Sequence, residues 1–521
     1  MTASGGQGDF AARGCTTEAI AEWLNHEITE ELKSMPDPIR FTVRDIRPGF
    51  INAFTRIPFK YGKVTLTAVP LYHVEVTIED ANGRQAKGYA SDCFPPKWFD
   101  KNPEKSYRQE IEEMLAVSLF AQQNALDAGA GTAFELHQAI YPATLEFGRS
   151  KEMVDLASGF GPTFTDRAIA DAVGKLTGTS FHETLQQNLL GVNLGWYYDE
   201  LNGIEPSAIL PQTPLDSVHI RHTVGLGDYL RDADIPDDDC LDDGLPQSLE
   251  AGIRFYGLTY FKLKVFGDEK QDLDRLSGIV DVIESNVEGD YHCTLDGNEN
   301  FDKADAFLAL VERLQADSRF DRFFESIVFI EQPIHRDEAL TEASAAIVRQ
   351  IGKVKPVIID ESDQNPQSFT SALELGYQGI SHKNCKGFYK SLANLGITKK
   401  RSTDTAPLFL SGEDLATLAI PSLQSDLCAV ASLGITHLER NGHHYFRGLS
   451  HLPQSDFQNA IRQHPNLYRA DGEEAFLNVR NGRLDIASLQ CPGFGLGLEL
   501  DMEAFTPSGE WKFESLGLDE G

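Results

Sequence analysis

Lys262 and Lys264 stand two residues apart in the run Tyr260-Phe-Lys-Leu-Lys-Val-Phe266. In a β-strand that spacing turns both ammonium groups to one side, while Leu263 and Val265 turn to the other. Two cations in so apolar a run cost desolvation unless an anion meets them, which points to a site for something acidic. Further along, three short apolar runs end in an acid: Leu295-Asp-Gly-Asn-Glu299, Phe329-Ile-Glu-Gln-Pro333 and Ile359-Asp-Glu-Ser362. A fourth, Ser381-His-Lys-Asn-Cys-Lys386, carries lysines. Singly each has an ordinary explanation, because an Asp after a strand commonly caps the next helix. Jointly they read lysines, acid, acid, acid, lysine. Asp296, Glu331 and Asp360 facing one mouth would repel one another unless a cation held them. A ligand set of oxygens without His or Cys suits a hard octahedral ion, Mg2+ before Mn2+.

The elements that must position these groups follow a strand-then-helix rhythm after Leu215. Strands are expected at 219–225, 260–265, 291–295, 327–330, 357–359, 379–382, 408–410 and 435–438, with helical periodicity between several of them, as in Leu273, Leu276, Ile279, Val280 and Ile283. Eight short apolar strands at this spacing suit a closed parallel β/α barrel, whose functional groups sit at the strands' carboxyl ends. A doubly wound open sheet is the alternative, but no Gly-x-Gly-x-x-Gly turn follows the first strand.

Around this barrel, expected over 215–450, the chain changes character. Residues 1–40 read as an extension with one helix at 18–33. Residues 41–214 open with period-two strands turning at Asp80-Ala-Asn-Gly83, then give amphipathic helices, which makes an α+β unit. Phe476 to Ile486 predicts a hairpin about Asn481-Gly482. Too small to be stable alone, it should pack, within 451–505, back on the N-terminal meander. Residues 506–521 read as a polar tail.

With 521 residues, 41% hydrophobic and 24% charged, the chain has the composition of a large globular protein. A formal charge of −33 excludes a positive field for nucleic acid or anionic membrane, so an acidic ligand must be drawn by local charge. Seven cysteines without C-x-x-C spacing point to neither a disulfide framework nor a structural zinc site. The first residues carry no basic n-region or apolar h-region and no stretch reaches membrane length, so a cytoplasmic protein without a signal peptide is expected.

The Lys262-Leu-Lys264 pair, Asp296 with Asn298, Glu331-Gln-Pro, Asp360-Glu-Ser, Lys383 and the closing Cys491-Pro-Gly-Phe-Gly-Leu-Gly-Leu-Glu-Leu-Asp501 resemble the enolase superfamily, within it the muconate-lactonizing-enzyme and mandelate-racemase-like group, over about 41–505. The resemblance implies a modified (β/α)7β TIM-type barrel capped by an α+β domain from both chain ends. It makes Asp296, Glu331 and Asp360 the Mg2+ ligands, with Asn298 and Glu361 supporting them from behind. It also implies removal of a proton next to a substrate carboxylate. Lys262 assists the metal against the charge of the enediolate, Lys264 is the base with its pKa lowered by neighbouring cations, and Lys383 stands opposite.

Strand seven ends in Ser411-Gly-Glu-Asp414 where the mandelate racemase type has a His, so the lysine-lysine type is favoured. Lys386 competes with Lys383 for the strand-six role. Strand eight leads into Glu439-Arg-Asn-Gly-His-His-Tyr445, which lacks the Asp-x-Asp of dipeptide epimerases and offers Glu439, His443 and His444 as substrate contacts. The expected activity is racemisation or epimerisation of a small carboxylate, with cycloisomerisation or syn-dehydration next. A divalent-metal aldolase or a non-catalytic binding protein stands outside the family. A homo-oligomer is compatible with the sequence.

Overall fold

A computed structural model describes residues 36–301 and 303–518. The helix expected at 18–33 lies outside the described residues.

Three long antiparallel strands, β1 (Phe41–Tyr61), β2 (Val64–Asp80) and β3 (Gln85–Cys93), form the cap sheet, with the β2–β3 turn at the anticipated Asp80–Gly83. Helices α1 (Tyr107–Asp127), α2 (Ala133–Arg149) and α3 (Asp155–Thr177) follow. Ser106 with Gln109 and Thr132 with Glu135 close capping boxes that fix where α1 and α2 begin. α3 lies against β3 so closely that a Cβ on Gly88 would meet the Ala168 carbonyl oxygen at 1.9 Å, and only glycine permits that approach. The β1–β2 register slips between Phe54 and Phe59, leaving four residues opposite one. The displaced stretch reaches the barrel, where Thr55 bridges Phe446.

The barrel strands are β4 (Ser217–Val224), β5 (Tyr260–Lys264), β6 (His292–Asp296), β7 (Ile327–Glu331), β8 (Val357–Ile359), β9 (Gly379–His382), β10 (Phe409–Gly412) and β11 (His437–Arg440). Each boundary lies within two residues of its sequence expectation. All eight are parallel, and β11 closes on β4 with His437 opposite His219. A helix follows each of the first seven strands, giving the (β/α)7β order beneath an α+β cap. The long interval between Asp296 and Glu331 holds an additional short helix, Asp321–Ser326.

The C-terminal region departs from expectation. Asn481 and Gly482 do make a two-residue turn, with φ of 49° and 67°, but Arg480 and Arg483 are the only pair it joins among the described residues. Arg483–Asp485 instead adds antiparallel to Ser217–His219, while Glu474–Leu477 pairs with Tyr468–Asp471. The cause lies in β4, whose pairing with β5 starts only at Arg221 and leaves its first residues an open edge. The chain reaches the cap later. Phe494 stacks on Phe181 at 3.6 Å and donates its backbone N–H to Asp171 at 2.6 Å.

Nor is the stretch after 505 a polar tail. Thr506–Pro507 pairs with Gly49–Phe50 of β1, and the Trp511 ring lies 4.9 Å from Phe50 while its Nε1 donates to Asn52 at 2.9 Å. Phe513 and Leu516 are buried. A few large apolar side chains suffice to anchor a segment that is otherwise polar.

Candidate active site

Parallel register aligns the chemistry. Lys264 is paired with Asp296, and Asp296 with Glu331, so the second lysine and two acids form one row at the strands' carboxyl ends. Lys262 lies one pleat deeper and is 1% exposed. Its Nζ is the focus of four carboxylates: it donates to Glu413 at 2.7 Å, Glu439 at 2.8 Å and Glu331 at 2.9 Å, and lies 3.0 Å from Asp296. Burial opposes its charge, yet Asp296, Glu331, Glu413 and Glu439 hold it well above the ordinary lysine range.

Lys264 Nζ lies 2.5 Å from Asp296 Oδ2. Four strands away around the ring, Lys383 Nζ donates to Asp360 at 2.7 Å and sits 4.4 Å from the centre of the Trp98 ring. Lys386 donates to Ser381 at 2.6 Å and lies 3.3 Å from Asp363. Although buried, Asp360 is held well below the ordinary carboxyl range by Lys383 and Lys386. Glu331 moves the other way, raised by burial and by the charges of Asp296 and Glu413. Glu361 rises to about 7 through burial and the neighbouring Asp360, and accepts from Asn298 Nδ2 at 3.3 Å.

Whether these acids suit a divalent cation can be judged from their donors. Asp296, Glu331 and Asp360 offer only oxygen, all buried. Glu361 Oε2 and Asn298 Oδ1 have no hydrogen-bond partner. Such a set fits Mg2+ chemically. Among the described residues, however, no three His, Cys, Asp or Glu side chains stand together in metal-ligating geometry. Asp296 and Glu331 are turned to Lys262, and Asp360 to Lys383 and Lys386.

Above this cluster is a narrow cavity between barrel and cap. Lys264, Lys383, Asn298 and Glu439 meet it from the barrel, and Phe59, Tyr61, Pro95 and Trp98 close it from the cap. It shares Tyr61, Trp98 and Asn298 with a wider outer cleft that also carries Lys63, Lys97 and Lys101, of which Lys97 is paired with Glu110 and Lys101 with Glu299.

Of the candidate residues, Lys264, Lys383, Asn298 and Glu439 reach the cavity, and Lys262 with the acids lies beneath it. Lys386 does not line the cavity and is held between Asp360 and Asp363. His443 and His444 do not face the cavity either. They are buried with His222, whose Nδ1 is 3.0 Å from His443 Nε2, because the short helix Gly442–Tyr445 carries them behind strand β11.

Two residues that sequence reasoning passed over complete the cluster. Glu413 stands at the carboxyl end of β10 as the other acids stand at the ends of their strands, and that shared position was the available signal. Arg221, inside the barrel on β4, pairs with Glu413 and accounts for a charge in the middle of a core strand.

Residues 246–504 match the family model described as enolase C-terminal domain-like. No curated protein matches the sequence. Among solved structures, a mandelate racemase/muconate lactonizing protein from Herpetosiphon aurantiacus is 16% identical, over 88% of this chain and 99% of its own, at a TM-score of 0.55. An enolase from Bradyrhizobium complexed with magnesium and mandelic acid is 16% identical over 90% and 98%, at 0.55. A dipeptide epimerase from Enterococcus faecalis complexed with Mg and L-Leu-L-Tyr is 14% identical over 87% and 99%, at 0.55. The likeness is one of fold, to the mandelate racemase/muconate lactonizing branch of the enolase superfamily at low identity. No described helix is long and apolar enough to cross a membrane.

Proposed function

We propose that this chain is a lysine-lysine member of that branch, a Mg2+-dependent enzyme that removes the proton next to a substrate carboxylate and, in its leading reading, returns it on the other face as a racemase or epimerase. The observation that carries the proposal is that Lys264 and Lys383, from the second and sixth barrel strands, line one cavity from opposite sides. A planar intermediate between them would present one face to each lysine.

In this account Asp296, Glu331 and Asp360 hold Mg2+, which when bound supplies positive charge at the substrate's carboxylate oxygens. Asn298 and Glu361 support those ligands. Lys262 contributes a fixed cation beneath the intermediate, where negative charge develops. Lys264 takes the proton, and Lys383 gives one back from the opposite side. Glu413 and Arg221 keep Lys262 in place. A second reading, cycloisomerisation or dehydration, uses Lys383 only as a fixed charge. Its hold on Asp360 and its seat over Trp98 favour that reading. The substrate is a small carboxylate, with no role for nucleic acid.

Lys383→Ala separates the two. As a racemase, the variant stops interconverting enantiomers but still exchanges the α-proton of one of them in D2O. Continued interconversion removes Lys383 as the second base.

A further inference from the structure

The cavity's lining has a sharp division that the proposed reaction does not require. Lys264 and Lys383 gather at the barrel end, whereas Phe59, Tyr61, Leu66, Pro95, Trp98, Leu415 and Ala416 make the remaining walls. Of the carboxylates that also line it, none is left open to a ligand cation. Asp414 accepts from the backbone N–H groups of Thr417 at 2.7 Å and Asn441 at 2.9 Å, and lies 3.2 Å from Arg440. Glu439 accepts from Thr223, Lys262 and the backbone N–H of Asp414. The Tyr61 hydroxyl donates its hydrogen to the Pro96 carbonyl at 2.8 Å and is left only as an acceptor. The buried Asn298 Oδ1 and Asn441 Oδ1 have no hydrogen-bond partner.

From this division, and resting on the reading of the site as one for a carboxylate, we infer the substrate class: a monocarboxylic acid whose substituent is uncharged, compact and largely apolar, with at most a hydroxyl or N–H to meet the free amide oxygens. A second carboxylate in the apolar half would lose its hydration with no cation to receive it, and an ammonium would find no free acid. A polyhydroxylated chain would leave most of its hydroxyls unpaired. An apolar group gains there by leaving water for aromatic walls.

The test is calorimetry on the full-length, Mg2+-loaded protein with four probes: acetate, phenylacetate, succinate and gluconate. Phenylacetate should bind at least about tenfold more tightly than any of the other three, the scale set by burying a ring-sized apolar group. Trp98→Ala should shrink the phenylacetate-to-acetate ratio. Equal or tighter binding of succinate or gluconate overturns the inference, as does failure of phenylacetate to bind. Deuterium exchange at the α-carbon keeps the two levels apart. Tight phenylacetate binding without exchange counts against proton abstraction and leaves the substrate class standing. Exchange on gluconate but not on phenylacetate does the reverse.

Discussion

Lys262 Nζ lies 2.8 Å from Glu331 Oε2, at the centre of a cluster that also includes Asp296, Glu413 and Glu439. Three acids at one barrel mouth imply a cation among them, and in this structure a lysine ammonium takes that place for two of the three, while Lys383 and Lys386 take it for Asp360.

Removing that ammonium should therefore be costly. Lys262→Met leaves four buried carboxylates facing one another, and stability without metal should fall by about 3–5 kcal/mol, the scale for breaking a buried ion pair. Added Mg2+ should recover more stability in the variant than it adds to the parent protein. Thermal unfolding with and without MgCl2 measures both, and an unchanged midpoint would show that the cluster does not depend on Lys262.

Glu331→Gln keeps the shape of the side chain and removes its charge. Mg2+ affinity by calorimetry should fall beyond the roughly 10- to 100-fold typical of residues that merely orient a ligand. Equal affinity in parent and variant would take Glu331 out of the ligand set.

The buried histidines make a separate claim about pH. Burial first, then His444 for His443 and Arg56 for His444, lowers both imidazoles to about 3. An unfolded histidine takes up its proton near pH 6.5, so between 6.5 and about 3 the unfolded chain binds protons that the folded one refuses. Stability should be full above pH 6.5 and decline as pH falls through that window, by about 1.4 kcal/mol per pH unit for each such histidine. In His443→Gln the decline between pH 6.5 and 4.5 should be shallower by one histidine's share. Parallel curves would mean that His443 is not held neutral.

Much of this was legible in the sequence because it depends on period and position. The barrel strands announce themselves as short apolar runs at regular spacing, and the residue at a strand's carboxyl end is committed to the mouth. That is why Lys264, Asp296 and Glu331 could be placed before any coordinates. What escaped depends on direction after a strand ends. Glu413 belongs to a stretch where the notable feature was a missing His, and nothing local says that its carboxylate turns inward to Lys262. Phe59, Tyr61 and Trp98 reach the cavity through the register slip after Phe54 and the loop after β3, which no alternation of side chains encodes. His443 and His444 fail for the same reason, since one turn of helix carries them away from the cavity. Trp511 and Phe513 show the limit of composition, because a mostly polar segment is docked by its few aromatic residues.

The central claim is proton abstraction next to a carboxylate, and α-deuterium incorporation measures it most directly. The protein, Mg2+ and a panel of carboxylic acids are incubated in D2O and followed by NMR. The account predicts incorporation at the α-carbon of at least one acid, dependent on Mg2+ and abolished in Lys264→Ala for the enantiomer facing that lysine. Metal-loaded protein that exchanges no acid, or exchange that survives loss of Lys264 on both faces, would contradict it.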